Sequence, residues 1–282
     1  MSSQGETPVA LTIAGSDCSA GAGAQADLKT FGALGVYGLT ALTCVVAETP
    51  GRVQRIDAVA AELVEEQLLL LLERFPVGAI KTGMLFSAEL VSRVAAALRK
   101  RASAQRLPLV VDPVMVATSG NLLLQKEAVE IYEAELFPLA AVVTPNLDEA
   151  STLLGETITT LSEMRSAGEG LLERYNVPIL LKGGHLGGSV ATDLLFTRDG
   201  VAEFSEPFTR GVHTHGTGCT YSAAITAGLA AGLSLLDATE RAKRFVTAAI
   251  ARHFSWSAPG GGTLHALNHT AAASPEPRRA GL

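Results

Sequence analysis

Short apolar runs that stop at Gly, Pro or a polar residue alternate with helical segments along most of the chain, and few folds accommodate that order. Residues 8–15, 39–47, 77–81, 109–112, 140–144 and 177–182 read as strands. Between them, 24–34, 62–75, 88–101, 126–137, 147–154 and 163–175 carry helical spacing, and 217–233 and 236–254 close the series. Segments 193–197 and 201–204, joined at Arg198-Asp199-Gly200, read as a β-hairpin because an Asp-Gly pair favours the tight turn. Strands separated by helices pair in parallel, so the expectation is an α/β fold with a mostly parallel sheet covered by helices on both faces. There is no interdomain linker and no repeat. Residues 1–269 are expected to form one domain, and the Ala/Ser/Pro/Arg-rich 270–282 a disordered tail.

In such a sheet, ligands lie beyond the carboxyl ends of the strands. Those ends carry Gly15-Ser16-Asp17, Ala47-Glu48, Lys81-Thr82-Gly83-Met84, Asp112-Pro113-Val114, Thr144-Pro145-Asn146 and Lys182-Gly183-Gly184. The polar groups therefore converge on one rim.

Composition narrows the partners. A formal net charge of -6, without a basic run, argues against nucleic acid. The first positive charge is Lys29, so the basic start of a secretion signal is missing, and Cys18, Cys44 and Cys219 form no close pair. A reducing, cytoplasmic location is expected. The stretch 216–236 carries no charge and is long enough to span a bilayer, but its Gly, Ala, Ser and Thr content reads as a buried helix.

The most specific local signal is His215-Gly216-Thr217-Gly218-Cys219 at the start of a long helix. Gly216 and Gly218 let the backbone approach a ligand, and the helix N-terminus adds N–H donors and partial positive charge. An anion belongs there, and a phosphoryl group in transfer is the demanding case. Cys219 lies in the first turn, where its thiol pKa is expected to fall, so that it can take a proton from a substrate hydroxyl. A metal site at His213, His215 and Cys219 is the alternative, but it lacks a fourth ligand. Lys182, at a strand end before glycines, can act as a point charge on phosphate. No Gly-Lys pair occurs, which excludes a Walker A loop. Asn146 and Glu149 either cap a helix or place Glu149 toward Mg2+. Gly21, Gly23 and Ala26, after a strand and opening a helix, nearly match a dinucleotide fingerprint and keep an oxidoreductase in view, although Ser16 to Ala20 intervene.

Taken in order, several segments closely resemble hydroxymethylpyrimidine/phosphomethylpyrimidine kinases of the ribokinase-like superfamily. They are 11–17, 19–23, 25–31, Lys81 to Met84, Asp112 to Met115, Thr144 to Asn146, 181–185 and 215–220. The resemblance implies a three-layer α/β/α sandwich, usually dimeric. It also implies transfer of phosphate from ATP, with Mg2+, to the hydroxymethyl group of the pyrimidine of thiamine biosynthesis and then to its monophosphate. By the same resemblance Cys219 is the general base, Gly216, Thr217 and Gly218 build the anion hole, and Lys182, Asn146 and Thr217 bind ATP. Gly15, Asp27, Glu48, Met84 and Val114 would line the ring pocket, with Glu149 and Asp112 toward the metal. One departure matters. Where the family usually has a glutamine on the ring edge, this chain has Glu48. An ionised carboxylate only accepts hydrogen bonds, so the ring must be N-protonated or the preference shifted toward the pyridine of pyridoxal or pyridoxine.

Overall fold

The structure is a computed structural model that describes residues 6–102, 106–115, 126–184, 186–212 and 215–273. The expected alternation is present. In chain order the first half reads β1 (Val9–Asp17), α1 (Gly23–Ala33), β2 (Tyr37–Thr49), β3 (Arg52–Ala58), α2 (Ala61–Arg74), β4 (Val77–Thr82), α3 (Ala88–Ala102) and β5 (Leu109–Val111). There follow α4 (Lys126–Ile131), β6 (Val142–Val143), α5 (Leu147–Leu154), α6 (Leu161–Tyr175), β7 (Ile179–Lys182), β8 (Val190–Thr197) and β9 (Gly200–Pro207). Helices α7 (Thr217–Ala230) and α8 (Leu235–Ala251), the small hairpin β10 (Phe254–Ser257) and β11 (Thr263–Ala266), and α9 (His269–Ala273) complete the chain.

The central sheet is nine-stranded, ordered β3-β2-β1-β4-β5-β6-β7-β8-β9. Strands β2, β1, β4, β5, β6 and β7 pair in parallel, because a crossover separates each from the next. The pairings β2–β3, β7–β8 and β8–β9 are antiparallel, and only a tight turn separates β2 from β3 and β8 from β9. β3 is a strand the sequence pattern did not disclose. It is an edge strand with mostly exposed side chains, so no alternation marks it.

Side-chain alternation divides the core. Val9, Leu11 and Ile13 face a cluster that includes Val64 and Leu68 of α2 and Val91 and Val94 of α3. On the other face Ala10 packs with Phe31, Ala223 and Ala227, and Val110, Val142 and Leu180 with Tyr221, Ile225 and Phe245. Helices therefore cover both faces as an α/β/α sandwich. The uncharged stretch around α7 is core, buried continuously from Thr220 to Gly228, and among the described residues no helix is long and apolar enough to cross a membrane.

Several boundaries differ from expectation, among them the helix expected to reach 254, which ends at Ala251 before β10. The helix expected to reach 137 changes to a π turn over Tyr132–Leu136 and a 3-10 turn over Phe137–Leu139, where Pro138 lacks the N–H that would continue it. Helix α7 stops at Ala230, ahead of Gly232 with φ of +84°. The tail expected from 270 begins with α9, whose His269 Nε2 lies 3.0 Å from Thr220 Oγ1 in the interior. Residues 274–282 lie outside the described residues.

Strand β1 has β2 on one side and β4 on the other, so the order reverses there and opens a crevice at the carboxyl ends.

Candidate active site

That crevice gathers most of the residues singled out above. Gly15, Glu48, Met84, Asp112, Val114, Asn146, Glu149, Lys182, Gly216, Gly218 and Cys219 all line it. Thr217 opens α7 beside it without lining it. Asp27 is a correction. It is fully buried, and its carboxylate receives Lys81 Nζ at 2.7 and 2.8 Å and Thr12 Oγ1 at 2.6 Å. It stands behind the wall and holds Lys81, which does line the cleft.

One wall is built for an anion. Gly216 adopts φ of +80°, and any Cβ there would run into the carbonyl of Gly21. A Cβ on Gly218 would lie 3.2 Å from Lys182 Nζ, so the backbone of α7's first turn and this ammonium share one corner. Lys182 Nζ donates to Asp112 Oδ1 at 3.1 Å, and Ser222 Oγ donates to Asp112 Oδ2 at the same distance. Burial opposes ionisation of Asp112, but Lys182 and Lys81 outweigh it and hold the carboxyl below its usual range. The Lys182 ammonium is likewise held charged by Asp112 and Glu149 against its burial.

The thiol of Cys219 departs from expectation. Burial pushes it up to about 11, with Asp112 and Asp27 adding to the rise, while Lys81 and the Gly23 backbone N–H oppose it. The helix start supplies only a fraction of a charge, and the sulfur is desolvated beside two carboxylates.

Asn146 and Glu149 form the capping box: the Asn146 N–H donates to Glu149 Oε2 and the Glu149 N–H to Asn146 Oδ1, both at 2.8 Å. Glu149 nevertheless faces the cleft. Burial pushes its carboxyl up to about 8, with Lys182 opposing and Asp112 adding to the rise.

The opposite wall is shaped by contact. A Cβ on Gly15 would come within 2.6 Å of Cys44 Sγ and 3.0 Å of Met84 Cε. The half-buried Glu48 has its carboxyl raised by burial and by Asp17, with His215 opposing. Cys18 braces this residue: the Glu48 N–H donates to Cys18 Sγ at 3.3 Å, and the thiol donates to the Glu48 carbonyl at 3.1 Å.

Sequence reading missed the role of Asp17. Its carboxylate meets His215 Nε2 at 3.0 Å and accepts the N–H groups of Ser19, Gly21 and Ala22 at 2.7, 3.1 and 2.8 Å. The metal alternative changes accordingly. His215 turns to Asp17, with Glu48 in the same cluster, and His213 lies outside the described residues. The dinucleotide reading loses its donors too, because the Gly21 and Ala22 N–H groups are spent on Asp17 rather than aimed at a pyrophosphate.

Comparison with known proteins shows the family. The family described as phosphomethylpyrimidine kinase matches residues 17–263. A hydroxymethylpyrimidine/phosphomethylpyrimidine kinase of Rhizobium meliloti (strain 1021) is 45% identical over 248 residues, covering 86% of this chain and 91% of that protein. The pyridoxal kinase from Staphylococcus aureus in complex with AMP-PCP and pyridoxal is similar with a TM-score of 0.83 at 34% identity, over 95% of each chain. Phosphomethylpyrimidine kinase from Clostridium difficile 630 is similar with a TM-score of 0.73 at 37% identity, over 85% of this chain and 98% of that one. The chain is a phosphotransferase and belongs to the phosphomethylpyrimidine kinase family.

Proposed function

We propose that the enzyme transfers the γ-phosphoryl group of ATP to the hydroxymethyl oxygen of 4-amino-5-hydroxymethyl-2-methylpyrimidine, and then to the monophosphate, in thiamine biosynthesis. The observation that carries this is the facing of two walls across one cleft. Gly216, Gly218, Cys219 and Lys182 form an anion corner, and Gly15, Glu48, Met84 and Val114 line the rest of the cleft. In-line attack needs such a pair, because its transition state spreads charge over equatorial oxygens while the nucleophile approaches from the far side. Backbone N–H groups of the first turn of α7, with Thr217 as its first residue, stabilise that charge. Lys182 clamps the phosphates, and Asn146 sits beside them. The thiolate form of Cys219 accepts the hydroxyl proton; burial keeps that form minor at neutral pH, and the Lys81 cation opposes burial in its favour.

Mg2+ fits the residues present. Asp112 and Glu149 offer hard oxygen donors at the same corner, beside the Lys182 ammonium. When bound, the ion neutralises charge on the transferring phosphates.

Glu48 sets the ring. Its raised carboxyl lets one proton be shared with a ring nitrogen while the other oxygen accepts the exocyclic amine. The likeness to a pyridoxal kinase favours a second reading, in which the same carboxyl serves a pyridine ring. We also place the enzyme in the cytoplasm as a homodimer with one catalytic domain, expected over residues 1–269 and extended by α9 to Ala273. Its three free thiols and its family resemblance support this. Small-molecule alcohol and ATP are its partners, not nucleic acid or membrane.

An ADP-release assay across hydroxymethylpyrimidine, its phosphate, pyridoxal and pyridoxine tests the reading, run on wild type and Glu48→Gln. Preference for the pyrimidines in wild type supports it. Preference for pyridoxal moves the enzyme to the second reading, and a Glu48→Gln profile identical to wild type removes Glu48 from the pocket.

A further inference from the structure

Behind the anion corner lies a second buried ion pair that the proposed chemistry does not use. Asp193 of β8 and Lys243 of α8 are both nearly excluded from solvent, and Lys243 Nζ donates to Asp193 Oδ2 at 2.6 Å. The other carboxylate oxygen, Oδ1, accepts the backbone N–H of Gly183 at 2.9 Å. Gly183 follows Lys182 directly, and Lys182 pairs with Asp193 in the register of β7 and β8. The turn lies flush on β8, since any Cβ on Gly183 would run into the carbonyl of Thr192. On the other side of Lys182, its own N–H donates to the Pro145 carbonyl at 3.0 Å.

The pair also meets the helix that carries the anion cradle. Tyr221 of α7 is buried, and burial with the Asp193 charge keeps its phenol protonated, although its hydroxyl makes no hydrogen bond to the pair. Helices α7 and α8 share the cluster containing Tyr221, Ile225, Ala242, Phe245 and Val246. The pair thus ties the turn after Lys182 to helix α8, which packs on α7. A buried ion pair adds little net stability over an apolar pair, so its worth at this position lies in geometry.

We infer that Asp193 and Lys243 are positioning residues for the nucleotide side of the site, fixing the turn at Lys182–Gly183 against α7. This rests on the phosphate role given to Lys182. Misplacing a phosphate clamp by about 1 Å costs up to about a hundredfold in rate, so the effect reads on ATP rather than on the ring.

The test compares Lys243→Met, Asp193→Asn and the neutral double variant Asp193→Asn/Lys243→Met with wild type. Affinity for a non-hydrolysable ATP analogue is measured by calorimetry, KM for ATP and for the hydroxymethyl substrate by ADP release, and the cooperative melt by fluorescence. Lys243→Met leaves an uncompensated buried charge and is the variant most prone to misfold; the double variant does not. In the folded double variant, affinity for the analogue and kcat are expected to fall by about tenfold or more, with KM for the hydroxymethyl substrate within about twofold. Asp193→Asn alone keeps an acceptor for Lys243 Nζ as well as for the Gly183 N–H, although it leaves that ammonium unneutralised, and is expected to lose less than the double variant, which has no tie to α8. Wild-type analogue affinity in a folded double variant, or equal displacement of both KM values, overturns the inference. Should wild type prefer another ring, calorimetry with the ATP analogue still decides this point separately.

Discussion

Lys81 Nζ lies 2.7 and 2.8 Å from the two carboxylate oxygens of Asp27, and neither side chain reaches solvent. Strand β4 and helix α1 are thereby tied across 54 residues of sequence directly beneath the cleft. Removing one partner strands a buried charge. Lys81→Met is expected to cost about 3–5 kcal/mol in urea denaturation, and the double variant Lys81→Met/Asp27→Leu clearly less. Equal losses in the single and double variants would contradict the pairing.

Cys219 is expected to be protonated at rest, because its thiol is pushed up to about 11. Its alkylation by iodoacetamide should therefore be slow at neutral pH and accelerate as pH rises toward that value, whereas exposed Cys18 reacts first. Turnover should also climb with pH above 7 for the same reason. Cys219→Ala is expected to lose about a hundredfold to ten-thousandfold in kcat. Full turnover in that variant removes the base assignment.

Asp17 gives an acid-limb signature. Burial pushes its carboxyl up, but hydrogen bonds from His215, Ala22 and Ser19 prevail and bring it from 3.8 down to about 2. A depressed carboxyl contributes stability that is present above its unfolded value and is lost as pH falls through the folded one. The shift corresponds to about 2 kcal/mol. The His215 side runs the opposite way: its value is raised, so its contribution fades as pH rises through it. Denaturation between pH 2 and pH 5 should show wild type losing about 2 kcal/mol more than Asp17→Asn. Parallel curves would speak against the bond.

Glu149 tests the metal. Its carboxyl is pushed up to about 8, so a bound cation must displace a proton below that pH. Half-saturation by Mg2+ should improve as pH rises from 6 to 8 in wild type. In Glu149→Gln it should be nearly flat and about tenfold weaker or more. An unchanged Mg2+ requirement would leave Glu149 as a helix cap alone.

How much of this was legible depended on distance along the chain. Parallel strands, their stopping residues and the 215–219 corner were readable because periodicity and turn chemistry act over a few residues. Asp27 was misplaced because a carboxylate on an apolar helix face makes sense only once Lys81, far away in sequence, folds beneath it. Asp17 was quoted at the rim, yet its bond to His215 spans 198 residues and no local pattern signals it. Strand β3 escaped because an exposed edge needs no apolar alternation. The Cys219 thiol went the other way from expectation because desolvation, a property of the assembled site, exceeded the helix terminus.

Gly216 leaves no room for even a methyl group between itself and the Gly21 carbonyl, and Gly21 in turn abuts the His215 ring. Two loops far apart in sequence are therefore in direct contact at this point. A displacement of the segment around Gly21 would press on the start of α7, so the loop after β1 bears on the phosphate cradle by contact.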